Sequence, residues 1–335
     1  MTTTSLASLA SEPLFGLPLP EIWFGLLFFI LAMFLFLDGF DFGAGALFAI
    51  RDDEHEREQL LAAVGPFWDG NEVWLVVFGG AMFAAFPAVY AEVFTRYYLL
   101  MFAILGALIV RGLAPEMYEQ REDERWQRWW GRAFVFGSVV APFLLGLFVG
   151  NWMLGTSSIV TLPGVVVGLV VVALTIVDGV AFVRLKTRGS LRTELRPHGQ
   201  WAVVAYLALV VITLGYVYAA YPTLREKLLS PLVLGLVVTS VVLGGIYVVA
   251  TRQDRFYTAF VAGGGLVFAL VAVVARLMYP TIEPGTGLTV GDAIVSTLPL
   301  NVMTIGASIL LPLIFLYFAV LYSSFSGPIE AGEGY

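Results

Sequence analysis

Cysteine is absent from the 335 residues, which excludes disulfides, thiolate metal sites and iron–sulfur clusters. Histidine is almost absent: only His55 and His198 occur, each in a charged stretch outside the long apolar runs. No imidazole is therefore expected inside a membrane to ligate a haem, and this chain is expected to hold no metal and no haem by its own ligands. Lysine occurs twice, as Lys186 and Lys227, among 18 basic residues. Charge of either sign is scarce, at 13% against about 25% in a soluble domain. What fills the chain is apolar: 59% of residues are hydrophobic and the mean hydropathy is +0.88. These values predict an all-α integral membrane protein. The opening MTTTSLASLASEPLFGLPLP has no basic segment before its apolar residues, so it reads as a short polar tail rather than a cleaved signal.

Crossing a hydrocarbon core of about 30 Å takes roughly 20 helical residues. Nine segments meet that requirement: 22–49, 70–92, 97–114, 133–152, 162–184, 201–221, 231–250, 256–279 and 301–323. Of the 18 basic residues, 14 fall in one set of alternate loops and 4 in the other. The positive-inside bias then places the N-terminus outside and the C-terminus in the cytoplasm. Trp126, Trp129 and Trp130 lie among arginines before the fourth segment, as an interfacial aromatic belt would. The run Asp52 to Glu56 reads as a solvated loop, with His55 exposed in it, and His198 as a turn residue. Asp38-Gly39 and Asp178-Gly179 each lie sixteen residues into their segments, an echo that a duplicated four-helix unit plus a ninth helix would produce. The halves divide at 1–160 and 161–335.

The most informative stretch is Trp68-Asp69-Gly70-Asn71-Glu72-Val73-Trp74, placed after Pro66 where a helix enters the bilayer. Ionisable groups at such depth are costly and usually face protein or water. Asp69 or Asn71 could cap the first turn, which would account for one residue but not the string. In the first segment Asp38 and Asp41 are three apart and share a helix face with Gly45 four further on. The glycines there predict close packing against another helix. With Arg111 near the end of the third segment, Asp38, Asp41, Asp69 and Glu72 fall in the same leaflet. Two readings stand side by side: an ion-pair and capping cluster neutralised by Arg111, or a hydrated proton route from the cytoplasm, for which buried carboxyls are suited. Glu92 and Arg96 are expected to pair locally. Asp292 and Asn301, flanking Pro299, are expected to be turn and cap residues.

The motifs Leu37–Gly45 (LDGFDFGAG), Trp68–Trp74 (WDGNEVW), Gly79–Ala91 (GGAMFAAFPAVYA), Arg111 and Leu300–Thr304 (LNVMT) together resemble subunit II of the cytochrome bd-type quinol:oxygen oxidases. That resemblance implies two four-helix bundles and one peripheral helix. It also implies a partner, subunit I, that carries two haems b and one haem d, oxidises quinol and reduces oxygen to water with protons drawn from the cytoplasm. The complex would be electrogenic by vectorial chemistry, this chain not being catalytic alone, in the cell membrane of a prokaryote. By the family motif Asp69 belongs to the proton route and Trp74 lies near a lateral oxygen entry, while Asp38, Asp41, Trp68 and Arg111 occupy the other shared polar positions. Glu72 departs from relatives that carry an amide there. Some members hold a structural quinone in this subunit, which no motif here places, and small accessory subunits are left open. Lipid is the surrounding partner, and no nucleic acid is expected. The competing functions are a secondary transporter, for which intramembrane carboxylates and internal repeats would also serve, and a purely structural scaffold.

Overall fold

The structure, a computed structural model, describes residues 6–328, with side chains from Leu9 onward. Besides short helices in the connections, among them Glu54–Val64, its helices are α1 (Leu19–Leu47), α2 (Trp68–Ala85), α3 (Pro87–Arg96), α4 (Tyr98–Glu119), α5 (Glu124–Leu154), α6 (Leu162–Lys186), α7 (Arg196–Ala220), α8 (Pro231–Arg252), α9 (Phe256–Met278) and α10 (Thr297–Ser324). Eight of them, all but α2 and α3, are long and apolar enough to cross a membrane. Proline sits in the first turn of α1, α3, α6, α7 and α8, where its missing N–H costs nothing. The Asp123 carboxylate caps α5 by accepting from Trp126 N at 2.9 Å, and the Thr161 hydroxyl caps α6 by accepting from Gly164 N at 3.1 Å. Gly155 ends α5 at φ 62°, a conformation that favours glycine.

The centre of the molecule is the crossing of α1 and α6. Lipid tails are as apolar as leucine, so burial does not drive helices together within a bilayer; close van der Waals contact does. Gly43 and Gly179 provide it: a Cβ on Gly43 would lie 2.0 Å from Thr175 O, and one on Gly179 would lie 2.5 Å from the Gly43 carbonyl carbon. One turn away Phe40 stacks on Phe182 with ring centroids 3.8 Å apart. Around this crossing, α2 and α5 pack on α1, α7 on α6, and α9 on both. Helix α10 lies at the periphery, with only Leu300 and Asn301 buried.

Several expectations need correction. The segment 70–92 is not one helix: α2 stops at Ala85 and α3 starts at Pro87, with Phe86 at φ −129°, ψ 62° between them. Proline disfavours the helical conformation of the residue before it, and the apolar run continues across the break without showing it. The carbonyl of Ala85, freed by the break, accepts from Val295 N at 2.9 Å. Trp126, Trp129 and Trp130 lie on the first turns of α5 rather than in a loop. The acidic run is not a simple solvated loop, because Asp53 caps a helix over Glu54–Val64 and Glu56 joins Glu194 around the buried Arg51, at 3.4 and 2.7 Å. His55 in it is exposed, as expected, whereas His198 is exposed on the first turn of α7, not in a turn. Asn301 caps nothing: from inside α10 its amide accepts from Leu14 N and donates to the carbonyls of Leu9 and Glu12, each at 2.8 Å. Asp292 is neither turn nor cap: it lies in the one-turn helix Val290–Ala293, capped by Thr289, and its carboxylate accepts from the Thr289 hydroxyl at 2.6 Å.

The loop after α9 folds into an antiparallel hairpin, β1 (Thr281–Glu283) and β2 (Leu288–Thr289). Its anchor is Glu283, whose side chain is 0% exposed and meets Arg96 Nη1 at 2.5 Å. The expected Glu92–Arg96 pair also forms, but at 3.9 Å. Burial pushes the Glu283 carboxyl up, yet hydrogen bonds from Thr286 and Arg96 and the Arg96 charge outweigh it and hold the group below the ordinary range.

Two predictions come from this packing. Gly179→Ala should force α1 and α6 apart and cost about 1–3 kcal/mol, read as a lower thermal midpoint of the purified protein. For Glu283, a depressed carboxyl contributes stability above its unfolded pKa of about 4.3 and loses it as pH falls through the folded value. The midpoint gap between wild type and Glu283→Gln should therefore be largest near neutrality and close on acidification. A gap independent of pH would show that Glu283 does not act through its charge.

Candidate functional site

Arg111 projects from α4 into the seam between α1 and α2. The approach is close because α5 presents Gly137 there: a Cβ on that residue would lie 2.6 Å from Arg111 N. The guanidinium is 2% exposed, and three carboxyl groups surround it. Asp38 Oδ1 lies 2.8 Å from Nη2, Asp41 Oδ2 lies 3.8 Å from Nη2, and Glu72 Oε2 lies 4.0 Å from Nη1. Two rings complete the cage, with Cζ 4.5 Å from the Phe42 centroid and 5.9 Å from that of Trp68. Cations over such ring faces are attracted by the quadrupole, more strongly where water is excluded.

Exposure is graded along the carboxyl groups. Asp69 is exposed, the Glu72 side chain is 33% exposed, and Asp41 and Asp38 are at 1% and 0%. Asp69 and Glu72 are three residues apart on the first turn of α2, so the pair steps from the surface towards Arg111. The capping expectation fails for both candidates. No side chain caps α2, whose N-cap is Phe67, and Asn71 turns inward instead. Its amide donates to Leu37 O at 3.1 Å and to Asp41 Oδ2 at 2.9 Å, and accepts from the Tyr322 hydroxyl at 3.0 Å. Asp41 is thus held mainly by Asn71, and Asp38 is the close partner of Arg111.

Tyr322, on the last turns of α10, belongs to this network and has no counterpart in the sequence reading. Its ring stacks on Phe67 at 4.6 Å. Trp74 is 2% exposed, packed on Phe315 and Phe318 of α10 at 6.0 and 5.9 Å, and its Nε1 has no hydrogen-bond partner among the described residues. The structure does not bring Asp178 into the cluster. That residue is fully buried on α6 against Gly39 and Gly263, and both of its oxygens lack a partner among the described residues. Among the described residues no three His, Asp or Glu side chains converge as a metal-binding group. His55 and His198 are both exposed, so neither offers a haem a buried ligand.

Asp38→Leu should leave Arg111 buried without its close partner, at a cost of about 3–5 kcal/mol. Asp41→Asn, which can still bond Asn71, should cost clearly less. The comparison is made by the yield and thermal midpoint of the two purified variants, and equal losses would mean that Asp38 is not the main counter-charge.

The sequence profile described as cytochrome bd terminal oxidase subunit II matches residues 19–325. Cytochrome bd-I ubiquinol oxidase subunit 2 of Escherichia coli K12 is 30% identical, over 92% of this chain and 94% of that one. Cytochrome bd ubiquinol oxidase subunit 2 of Bacillus subtilis 168 is 31% identical, over 88% and 92%. In fold, the chain resembles one from the bd oxidase of Geobacillus thermodenitrificans with a TM-score of 0.71 and 18% identity, over 91% of this chain and 98% of the other. With a family match across nearly its whole length and eight apolar helices, the chain is a multi-pass plasma-membrane protein of a prokaryote and belongs to the cytochrome bd terminal oxidase subunit II family.

Proposed function

We propose that this chain is the haem-free subunit of a respiratory quinol:oxygen oxidase, joined to a haem-bearing subunit I, and that it conducts protons from the cytoplasm towards that partner. Quinol oxidation and oxygen reduction are the partner's chemistry; this chain's own residues admit and hold protons. With protons taken from the cytoplasm, the complex is electrogenic without a dedicated pump. The family membership favours this reading over a secondary transporter.

The observation that carries the proposal is the graded exposure from Asp69 through Glu72 to Asp41 and Asp38. Asp69 meets water at the start of α2. Glu72 stands at the border, within 4.0 Å of Arg111. Beyond it, one guanidinium faces three carboxyl groups, so full ionisation would leave uncompensated negative charge in a medium that opposes it. In this group the carboxyl groups outnumber the cation three to one, and Arg111 is the one countercharge within 4.0 Å among the described residues. Trp74, with Phe315 and Phe318, lines an apolar seam between α2 and α10 that serves oxygen arriving from the lipid side. In this reading the N-terminus lies outside, the C-terminus inside, and the chain forms two four-helix units with α10 at their edge.

The test is Asp69→Asn. No capping bond is lost, because Asp69 makes none in α2. The variant complex should assemble with normal haem content and lose most quinol-oxidase turnover, on the order of the 10²–10⁴-fold that positioned proton transfer supplies. Asp69→Glu, which keeps a titratable group, should retain far more. Turnover near wild type in Asp69→Asn would remove Asp69 from the route.

A further inference from the structure

The end of the molecule formed by the C-termini of α6 and α8 and the N-termini of α7 and α9 carries a concentration of positive charge in a chain whose net charge is −7. Arg184, buried there, is fully engaged: Nη2 meets Asp254 Oδ1 at 2.8 Å, Nε donates to Arg192 O at 2.8 Å and Nη1 to Thr251 O at 3.3 Å. Glu194 is taken up by Arg51. Five further arginines, Arg188, Arg192, Arg196, Arg252 and Arg255, make no ion pair among the described residues. Arg188, Arg252 and Arg255 are exposed, and Arg192 and Arg196 half-buried. Arg192 lies with its guanidinium 4.3 Å from the Phe256 ring centroid, and its Nε is buried without a hydrogen-bond partner among the described residues.

Membrane orientation by the positive-inside bias calls for basic residues on one side, but not for five arginines outside any ion pair at one end of four packed helices, where Asp254 is already bonded to Arg184 and Glu194 to Arg51. The surface alongside is apolar and open. Trp201 and Val204 on α7, Val249 on α8 and Tyr257 and Val261 on α9 are all more than half exposed. Tryptophan and tyrosine at a helix end mark the headgroup level of a bilayer. Unpaired guanidiniums at that level, with an apolar wall running into the membrane beside them, are complementary to a molecule with an anionic phosphate and long acyl chains.

We propose that this arginine-rich end of α6–α9 is a binding site for the headgroup of an anionic phospholipid. The phosphodiester takes charge-assisted hydrogen bonds from Arg192, Arg196 and Arg255, and its chains lie on the open faces of α7 and α8. The site is distant in sequence from the Asp38–Arg111 cluster and rests only on the chain being a membrane protein, not on the proposed proton route.

The test uses the whole oxidase complex, extracted from bilayers of equal parts phosphatidylglycerol and phosphatidylcholine and weighed by native mass spectrometry. Wild type should retain phosphatidylglycerol in preference to phosphatidylcholine. The triple variant R192Q/R196Q/R255Q should lose that preference by about tenfold or more, since each arginine near a membrane surface contributes roughly a fivefold factor. R192K/R196K/R255K keeps the charge and should keep most of the preference. No preference in wild type, or equal preference in wild type and the glutamine variant, overturns the proposal. So does equal loss in the lysine and glutamine variants, which would mark a structural role for the arginines. A thermal shift with inorganic phosphate alone that matches the shift with phosphatidylglycerol would assign the site to a free anion and overturn the lipid reading. A reporter fused to the C-terminus checks that the variants keep the wild-type orientation.

Discussion

A guanidinium that is almost fully buried in a membrane protein imposes conditions on everything near it. Arg111 cannot shed its charge, because arginine stays protonated in proteins, and water cannot reach it freely. The surrounding helices must therefore bring charge and ring faces to it. Helix α1 contributes Asp38, Asp41 and Phe42, and α2 contributes Glu72 and Trp68. Helix α5 gives way at Gly137 so that the backbone of α4 can approach. Tyr322 and Asn71 then fix Asp41 from the far side. The positions of these helices are consequences of one cation, and removing any member exposes the others to an uncompensated charge.

The second half of the chain repeats the dipeptide but not the cation. Asp178-Gly179 on α6 meets Asp38-Gly39 on α1 near their crossing, but only Gly179 has another backbone pressed against it; a Cβ on Gly39 would meet the side chains of Asp178 and Thr175 at 3.7 and 3.8 Å. Asp38 finds Arg111 at 2.8 Å; Asp178 finds no partner among the described residues. Around Asp178 stand Tyr206 and Tyr247, whose hydroxyls are already donated to the carbonyls of Leu266 and Val177. The two halves therefore share a dipeptide at the crossing while differing in polarity: one holds an ion-paired cluster with Asp69 exposed at its rim, the other a carboxyl group without a partner among the described residues.

Much of this was legible in the residues. Alternating helix direction placed Asp38, Asp41, Glu72 and Arg111 at one level, and the i, i+3 spacing of Asp38 and Asp41 put both on the arginine's side. The facing of Asp69 and Glu72 was legible only coarsely, because three residues leave about 60° between side chains on a helix. At the rim of the cluster, that offset is enough to put one in water and the other at its border. Tyr322 was not legible, since it reaches Asn71 across 251 residues from a helix with no motif of its own at that end. The break at Phe86 was signalled by Pro87, but the apolar run masks it: hydropathy measures the medium a segment enters, not the continuity of its backbone. The hairpin is local but carries no apolar periodicity to announce it, and the Glu283–Arg96 clamp joins it to the end of α3 far away in sequence.

The three hydrogen bonds between Asn301 and the segment Leu9–Leu14 join residues 287 to 292 positions apart. During synthesis that segment emerges long before its anchor, so it has no seat until α10 has left the ribosome and entered the bilayer. The same delay applies to Asn71, which waits for Tyr322, and to Lys186, which donates to the carbonyl of Phe325. The peripheral helix thus acts as a latch on a nascent chain: its arrival closes the segment Leu9–Leu14, the polar network and the end of α6 together. A chain truncated before α10 would lack all three closures at once, and in that state it would present to the membrane's quality-control proteases an unseated Leu9–Leu14 segment and an incompletely bonded Asn71.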